Sequence, residues 1–261
     1  MNLDLTGKTA LVCGASQGIG FAAAHELALL GARIVLFARN EQRLQDALAS
    51  LPSPTQAAHA FIVADFDHPQ QVQQAIEAFV KNDVAHILVN NTAGPAPGKA
   101  IDSDIEAFRR AFNAHLINNH QLVQALLPGM KAAGYGRIIN VISTSVKQPL
   151  PNLGVSNTIR GAVANWSKTL AMELGPLGIT VNNVLPGATE TGRLDAIIQN
   201  KAQATGADAN AVREEMSHEV PLRRLAKPNE IGAAIAFLAS PAAAYINGIN
   251  LPVDGGRTLC L

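Results

Sequence analysis

Thr9-Ala10-Leu11-Val12-Cys13-Gly14-Ala15-Ser16-Gln17-Gly18-Ile19-Gly20 is a short apolar run that breaks into spaced glycines and then into a helical pattern. Residues 9–13 have the length and continuous hydrophobicity of a strand buried on both faces. Residues 19–30 place apolar side chains at helical spacing. Strand, glycine-rich turn and helix in that order make a phosphate-binding unit. The backbone must turn tightly and pass close to a pyrophosphate, which glycine permits. The N–H groups of the following helix then point at the phosphates. Gly14, Gly18 and Gly20 make the turn, and Ser16, Gln17 and Ile19 complete the cradle.

The same alternation continues outward from this unit. Apolar runs at 33–38, 60–64, 86–89, 137–142, 179–185 and 249–253 are short and bounded by turn residues. Helical patterns at 41–50, 69–80, 103–132, 153–174 and 228–239 separate most of them. Strand–helix repetition of this kind predicts βαβ units with right-handed crossovers. The expected fold is α/β, a Rossmann-like, doubly wound, seven-stranded parallel sheet with helices on both faces, in a single domain over 1–261. Segment 188–225 is irregular and rich in Ala, Glu and Arg, with room for one or two short helices. It follows a strand's carboxyl end, where a substrate lid sits in an open α/β sheet.

Composition narrows the function. Lys+Arg and Asp+Glu are 20 each and hydrophobic residues make up 48% of the 261. A packed globule is expected, and the absence of basic excess argues against nucleic acid as a partner. No apolar run reaches membrane-spanning length, and the N-terminus lacks the pattern of a signal peptide. Cys13 and Cys260 are the two cysteines, without metal or redox spacing. These features predict a cytoplasmic protein without a metal site.

With the turn in place, further motifs follow in order along nearly the whole chain. They include Asp65, the run Asn90-Asn91-Thr92-Ala93-Gly94, then Pro186, Gly187, Thr189 and Thr191, and the C-terminal run 221–256. The sequence thereby resembles the short-chain dehydrogenase/reductase family, and its C-terminal part is similar to 3-oxoacyl-acyl-carrier-protein reductases. The resemblance implies a bound NADP(H) or NAD(H). It places Asp65 against the adenine, Asn91 among the cofactor-binding residues, and Pro186, Gly187, Thr189 and Thr191 at the nicotinamide end. Strand 33–38 ends in Ala38, where NAD-preferring relatives carry an acid for the ribose 2′-hydroxyl. Arg39 follows and suits a 2′-phosphate, so NADP(H) is favoured.

The resemblance also implies a catalytic Ser, Tyr, Lys and Asn. Ser143 matches the Ser, but the Tyr position holds Ser156, the Lys position Arg160 and the Asn position His115. Ser156 and Arg160 share a helix face. An aliphatic hydroxyl is a poorer acid than a phenol, and Arg160 keeps its charge and cannot feed a proton relay. A neighbouring Arg160 favours neutral His115. Of the two tyrosines, Tyr135 lies at the wrong end of the sheet and Tyr245 reads as packing. Arg160 is also expected at the cofactor's ribose. The Ser-x-x-x-Arg replacement is similar to that of divergent relatives.

Two functions stay open on these residues. One is an oxidoreductase acting on a small or acyl-thioester carbonyl or alcohol, its proton coming from His115, Ser156 or water. The other is a dinucleotide-binding pseudoenzyme that senses or scaffolds. The family implies a homo-oligomer, a dimer or tetramer, through helices 103–132 and 153–174.

Overall fold

The structure is a computed structural model that describes residues 1–260. Seven parallel strands form one sheet in the order β3-β2-β1-β4-β5-β6-β7. They are β1 (Thr9–Cys13), β2 (Arg33–Ala38), β3 (Ala60–Val63), β4 (Ile87–Asn90), β5 (Gly136–Val141), β6 (Ile179–Pro186) and β7 (Asn250–Val253). The helices are α1 (Gly18–Leu29), α2 (Glu41–Ala49), α3 (Pro69–Phe79), α4 (Ile105–Phe112), α5 (Asn118–Ala133), α6 (Gly154–Leu174), α7 (Gly192–Thr205), α8 (Ala209–His218) and α9 (Pro228–Ala239). The expected doubly wound α/β fold is therefore present.

Both sheet faces are covered, which is why the strands read as mostly continuous apolar runs. Along β1, Ala10 and Val12 pack on one side with Leu27 of α1 and Ile231 and Ile235 of α9. Leu11 and Cys13 pack on the other side with Ile76 of α3, Leu126 of α5 and Leu170 of α6. No helix among the described residues is long and apolar enough to cross a membrane.

Strand order reverses between β1 and β4, opening a crevice at their carboxyl ends, where such sheets bind ligands. A row of asparagines braces the sheet beside it. Asn90, Asn140, Asn183 and Asn250 stand in register on β4 to β7. Asn90 Nδ2 donates to Asn140 Oδ1 at 2.8 Å, and Asn140 Nδ2 donates to Asn183 Oδ1 at 3.1 Å. Asn183 Nδ2 donates to Asn250 Oδ1 at 2.8 Å. Asn140 Nδ2 also donates at 2.8 Å to Ser167 Oγ on α6. The row thus ties α6 to the sheet through a chain of amide hydrogen bonds, with Asn90 Oδ1 at its end buried and without a partner.

Three expectations change. The helix expected over 103–132 starts at Ile105, capped by Asp104, and is interrupted by a π-helical turn at Asn113–Ile117. One extra residue in that turn breaks the regular period, and such turns recur at functional sites. Segment 188–225 holds two full helices, α7 and α8, with their own apolar cluster of Leu194, Ile198, Val212 and Leu225. Tyr245 is fully exposed and does not pack.

Candidate active site

The turn after β1 is shaped by backbone conformation. Gly14 and Gly18 have φ of +59° and +61°, in the left-handed region. A Cβ on Gly14 would sit 2.5 Å from the Asn91 carbonyl oxygen, and one on Gly20 would collide with the Gly14 carbonyl. Asn91 Nδ2 donates to the Cys13 carbonyl at 3.3 Å, joining the ends of β1 and β4. Gly18 faces the Thr191 methyl group, and Thr191 caps α7 by accepting from Leu194 N–H. Glycines, Asn91 and Thr191 therefore form one cradle, open to the N-terminus of α1. Its shape fits a pyrophosphate.

At the far end of β2, Arg39 is exposed, with Nη1 3.7 Å from Asp65 Oδ2. Asp65 also accepts from Asp67 N–H. Gln17 Oε1 accepts from Arg43 Nη1 at 3.3 Å, placing a second arginine beside Ser16 and Gln17. Pro186 ends β6, Gly187 N–H donates to the Val253 carbonyl, and buried Thr189 donates to the Gly187 carbonyl. Ile19 packs partly buried on the core behind the turn.

Of the positions that the family resemblance makes catalytic, Ser143 lies just beyond the end of β5, Ser156 and Arg160 on α6, and His115 against Thr92 beyond the end of β4. Ser143 Oγ accepts a hydrogen bond from Ser145 N–H at 3.0 Å. That contact fixes the hydroxyl and leaves its proton free to be donated. Ser156 sits half-buried in the first turn of α6. One turn on, Arg160 is 9% exposed, and its Nη1 donates to the Val141 carbonyl at 2.8 Å. Burial, reinforced by Arg193, brings its pKa down to about 10, so it remains a cation at neutral pH.

His115 lies in the π-helical turn and is 2% exposed. Its Nδ1 is 2.6 Å from Thr92 Oγ1. Burial, then the charges of Arg160 and Arg193, hold its pKa well below 6.5, against a smaller opposing pull from the Ala93 carbonyl. The imidazole is therefore neutral at neutral pH. A neutral ring can accept or relay a hydrogen bond but is a weak source of protons.

Two residues of the site escaped the sequence reading. Thr92 is the hydrogen-bond partner of His115. Arg193, in the first turn of α7, donates through Nη1 to the Gly94 carbonyl at 2.8 Å and through Nη2 to the Pro95 carbonyl at 3.2 Å. Arg193 directly follows Thr191-Gly192, and that adjacency was the available signal. Tyr135 is remote, its hydroxyl donating to the Ala239 carbonyl.

Known proteins share this architecture. The family model described as enoyl-(acyl carrier protein) reductase matches residues 14–258. The 3-oxoacyl-[acyl-carrier-protein] reductase FabG of Vibrio cholerae is 35% identical over 257 residues, covering 97% of this chain and 98% of the relative. The NADPH-dependent reductase BacG of Bacillus subtilis is 28% identical over 254 residues, with 97% and 98% covered. L-Sorbose reductase of Gluconobacter frateurii, solved in complex with NADPH and L-sorbose, superposes with a TM-score of 0.93 at 31% identity, with 100% of each chain covered. A match across nearly the whole chain, with the glycine cradle and crevice where that fold puts them, means that the chain belongs to the short-chain dehydrogenase/reductase family.

Proposed function

We propose that this protein is an NADP(H)-dependent oxidoreductase that interconverts a carbonyl and an alcohol with an altered set of proton-handling residues. The observation that carries the reading is the convergence of the dinucleotide cradle, the free hydroxyl proton of Ser143 and the fixed charge of Arg160 on one crevice. Solved relatives bound to NADPH support the cofactor, as does Arg39 beyond a β2 that ends without an acid.

Gly14, Ser16, Gln17, Gly18, Ile19 and Gly20 would cradle the pyrophosphate, with Asn91 and Thr191 as the walls. Arg39 would take the 2′-phosphate and Asp65 the adenine. Pro186, Gly187 and Thr189 would border the nicotinamide end, and Arg160 the ribose beside it. A bound nicotinamide supplies two electrons and a hydrogen to the carbonyl carbon, so the protein's part is to orient the carbonyl and deliver one proton to its oxygen. Ser143 donates a hydrogen bond to that oxygen, and Arg160 stabilises the negative charge developing there. The proton comes from Ser156 or a water, and neutral His115 with Thr92 forms the far end of the relay. Losing a phenolic acid costs typically 10²–10⁴ in rate, so slow turnover is expected. Helices α4, α5 and α6 would pair between copies of the chain in a homo-oligomer.

NADPH oxidation over a panel of aldehydes, ketones and acyl thioesters tests this reading. Ser143→Ala is expected to lower kcat by roughly 10²-fold or more without changing NADPH affinity. Arg39→Ala is expected to weaken NADPH binding about tenfold and leave NADH binding unchanged. Tight NADPH binding with no turnover on any carbonyl would instead favour the pseudoenzyme reading, which the replacements at Ser156 and Arg160 would explain.

A further inference from the structure

We propose that the substrate carries a carboxylate next to its carbonyl and that Arg193 holds it, with Arg160 adding its charge from beside the ribose. The inference rests on the oxidoreductase reading above and adds the chemical class of the substrate.

Two arginines reach this crevice, Arg160 from α6 and Arg193 from α7. His115 Nδ1 lies 2.6 Å from Thr92 Oγ1, and Arg193 binds the Gly94 and Pro95 carbonyls of the same loop, so Arg193 and His115 meet at one segment, where the charges of both arginines also bear on the imidazole. Among the described residues no carboxylate lies within ion-pairing distance of either one. By contrast, Arg33, Arg39, Arg109, Arg213, Arg224 and Arg257 each have an acidic partner. Those six are surface or half-buried side chains that water would serve anyway. Arg137, 4% exposed, also lacks an acidic partner, but its guanidinium lies 4.2 Å from the Tyr135 ring centroid at the other end of the sheet, whereas Arg160, 9% exposed, sits in the crevice with no ring or acid beside it among the described residues.

Hydrogen bonding points the same way. Arg160 spends Nη1 on the Val141 carbonyl, while Nε and Nη2 have no protein partner among the described residues. Arg193 reaches only two backbone carbonyls, at Gly94 and Pro95. Carbonyls leave a guanidinium's charge uncompensated. The planar fork of Arg193, with the Arg160 charge behind it, matches a carboxylate's paired oxygens. Neutral His115 neither competes for the anion nor supplies one.

The dinucleotide's pyrophosphate is the other anion within reach of this wall. Its cradle is built from the glycine turn and Thr191, however, and Arg193 points past them to Gly94 and Pro95. A neutral thioester would leave both charges unmatched. The preferred substrate is accordingly a free oxo acid or the corresponding hydroxy acid.

Short 2-oxo acids and their methyl esters, such as pyruvate with methyl pyruvate and 2-oxobutyrate with methyl 2-oxobutyrate, provide matched pairs. With NADPH and the full-length protein, the acid is expected to exceed its ester in kcat/KM by roughly 10- to 100-fold. Arg193→Met should bring acid and ester within about threefold, with the NADPH Kd moved by less than about twofold. Arg193→Lys, which keeps the charge, should restore most of the preference. Esters equal to or better than acids in the wild type would overturn the proposal. So would an Arg193→Met variant that loses NADPH affinity as steeply as acid turnover, since the charge would then serve the pyrophosphate. If no compound of either kind is reduced although NADPH binds, the oxidoreductase reading fails by itself. Calorimetric binding of oxamate to the NADPH complex then decides the anion site separately. Binding that Arg193→Met abolishes sustains it, and no binding in the wild type ends it.

Discussion

His115 shows how position sets chemistry. An imidazole titrates near neutrality in water, but the cleft buries this one between two guanidinium charges and keeps it neutral. The sign of the consequence follows from linkage. The unfolded chain takes up a proton at His115 near pH 6.5, whereas the folded protein does so only well below that value. Between the two, the unfolded state binds more protons, so stability falls as pH drops below about 6.5. Chemical denaturation at a series of pH values should show this acid-side loss, and His115→Asn should shrink it. An unchanged slope in the variant would mean that His115 is not the group responsible. At this scale the sequence was legible at Gly14 and Gly18, because a left-handed φ asks for glycine. Arg193 was hidden because its partners Gly94 and Pro95 lie far away in the chain and meet it only through folding.

Elements were legible where burial is one-sided in its demands. Strands covered on both faces are mostly apolar, and β1, β2 and β4 read that way in the sequence, while β5 and β6 do so between their buried asparagines. The π-helical turn at Asn113–Ile117 was not legible, because one inserted residue barely disturbs an apolar pattern. Helices α7 and α8 were also obscure, since only a narrow stripe of each is apolar. The asparagine row depends on register between strands, which no local pattern reveals. Asn140 sits at its centre, holding Asn90, Asn183 and Ser167. Asn140→Ala would leave several buried polar groups unpaired and is expected to cost roughly 3 kcal/mol of stability, measured by urea denaturation. Because the row anchors α6, the same variant should also raise KM by shifting Ser156 and Arg160. A loss below about 1 kcal/mol would show that water replaces the missing amide.

Across the whole molecule, two surfaces are organised around one sheet. The carboxyl edge gathers the dinucleotide cradle, the hydroxyls and the unpaired cations. The outer faces of α4 and α6 leave Ile105, Phe112 and Met172 substantially exposed, which suits burial against another copy. Light scattering is expected to give a mass of at least two 27.3 kDa chains, and a monomer mass would remove the proposed homo-oligomer. Family membership explains the sheet and the cradle, but fold alone does not determine what is done with a bound dinucleotide. That question rests on Ser143 and Arg160 working without the tyrosine and lysine that the family resemblance implies. The most direct measurement is single-turnover NADPH oxidation with a panel of oxo acids, comparing wild type with Ser143→Ala. The account predicts stoichiometric conversion of the oxo acid to its hydroxy acid, slowed roughly 10²-fold or more in the variant. Saturating NADPH binding with no oxidation on any carbonyl, or equal rates in the two proteins, would contradict it.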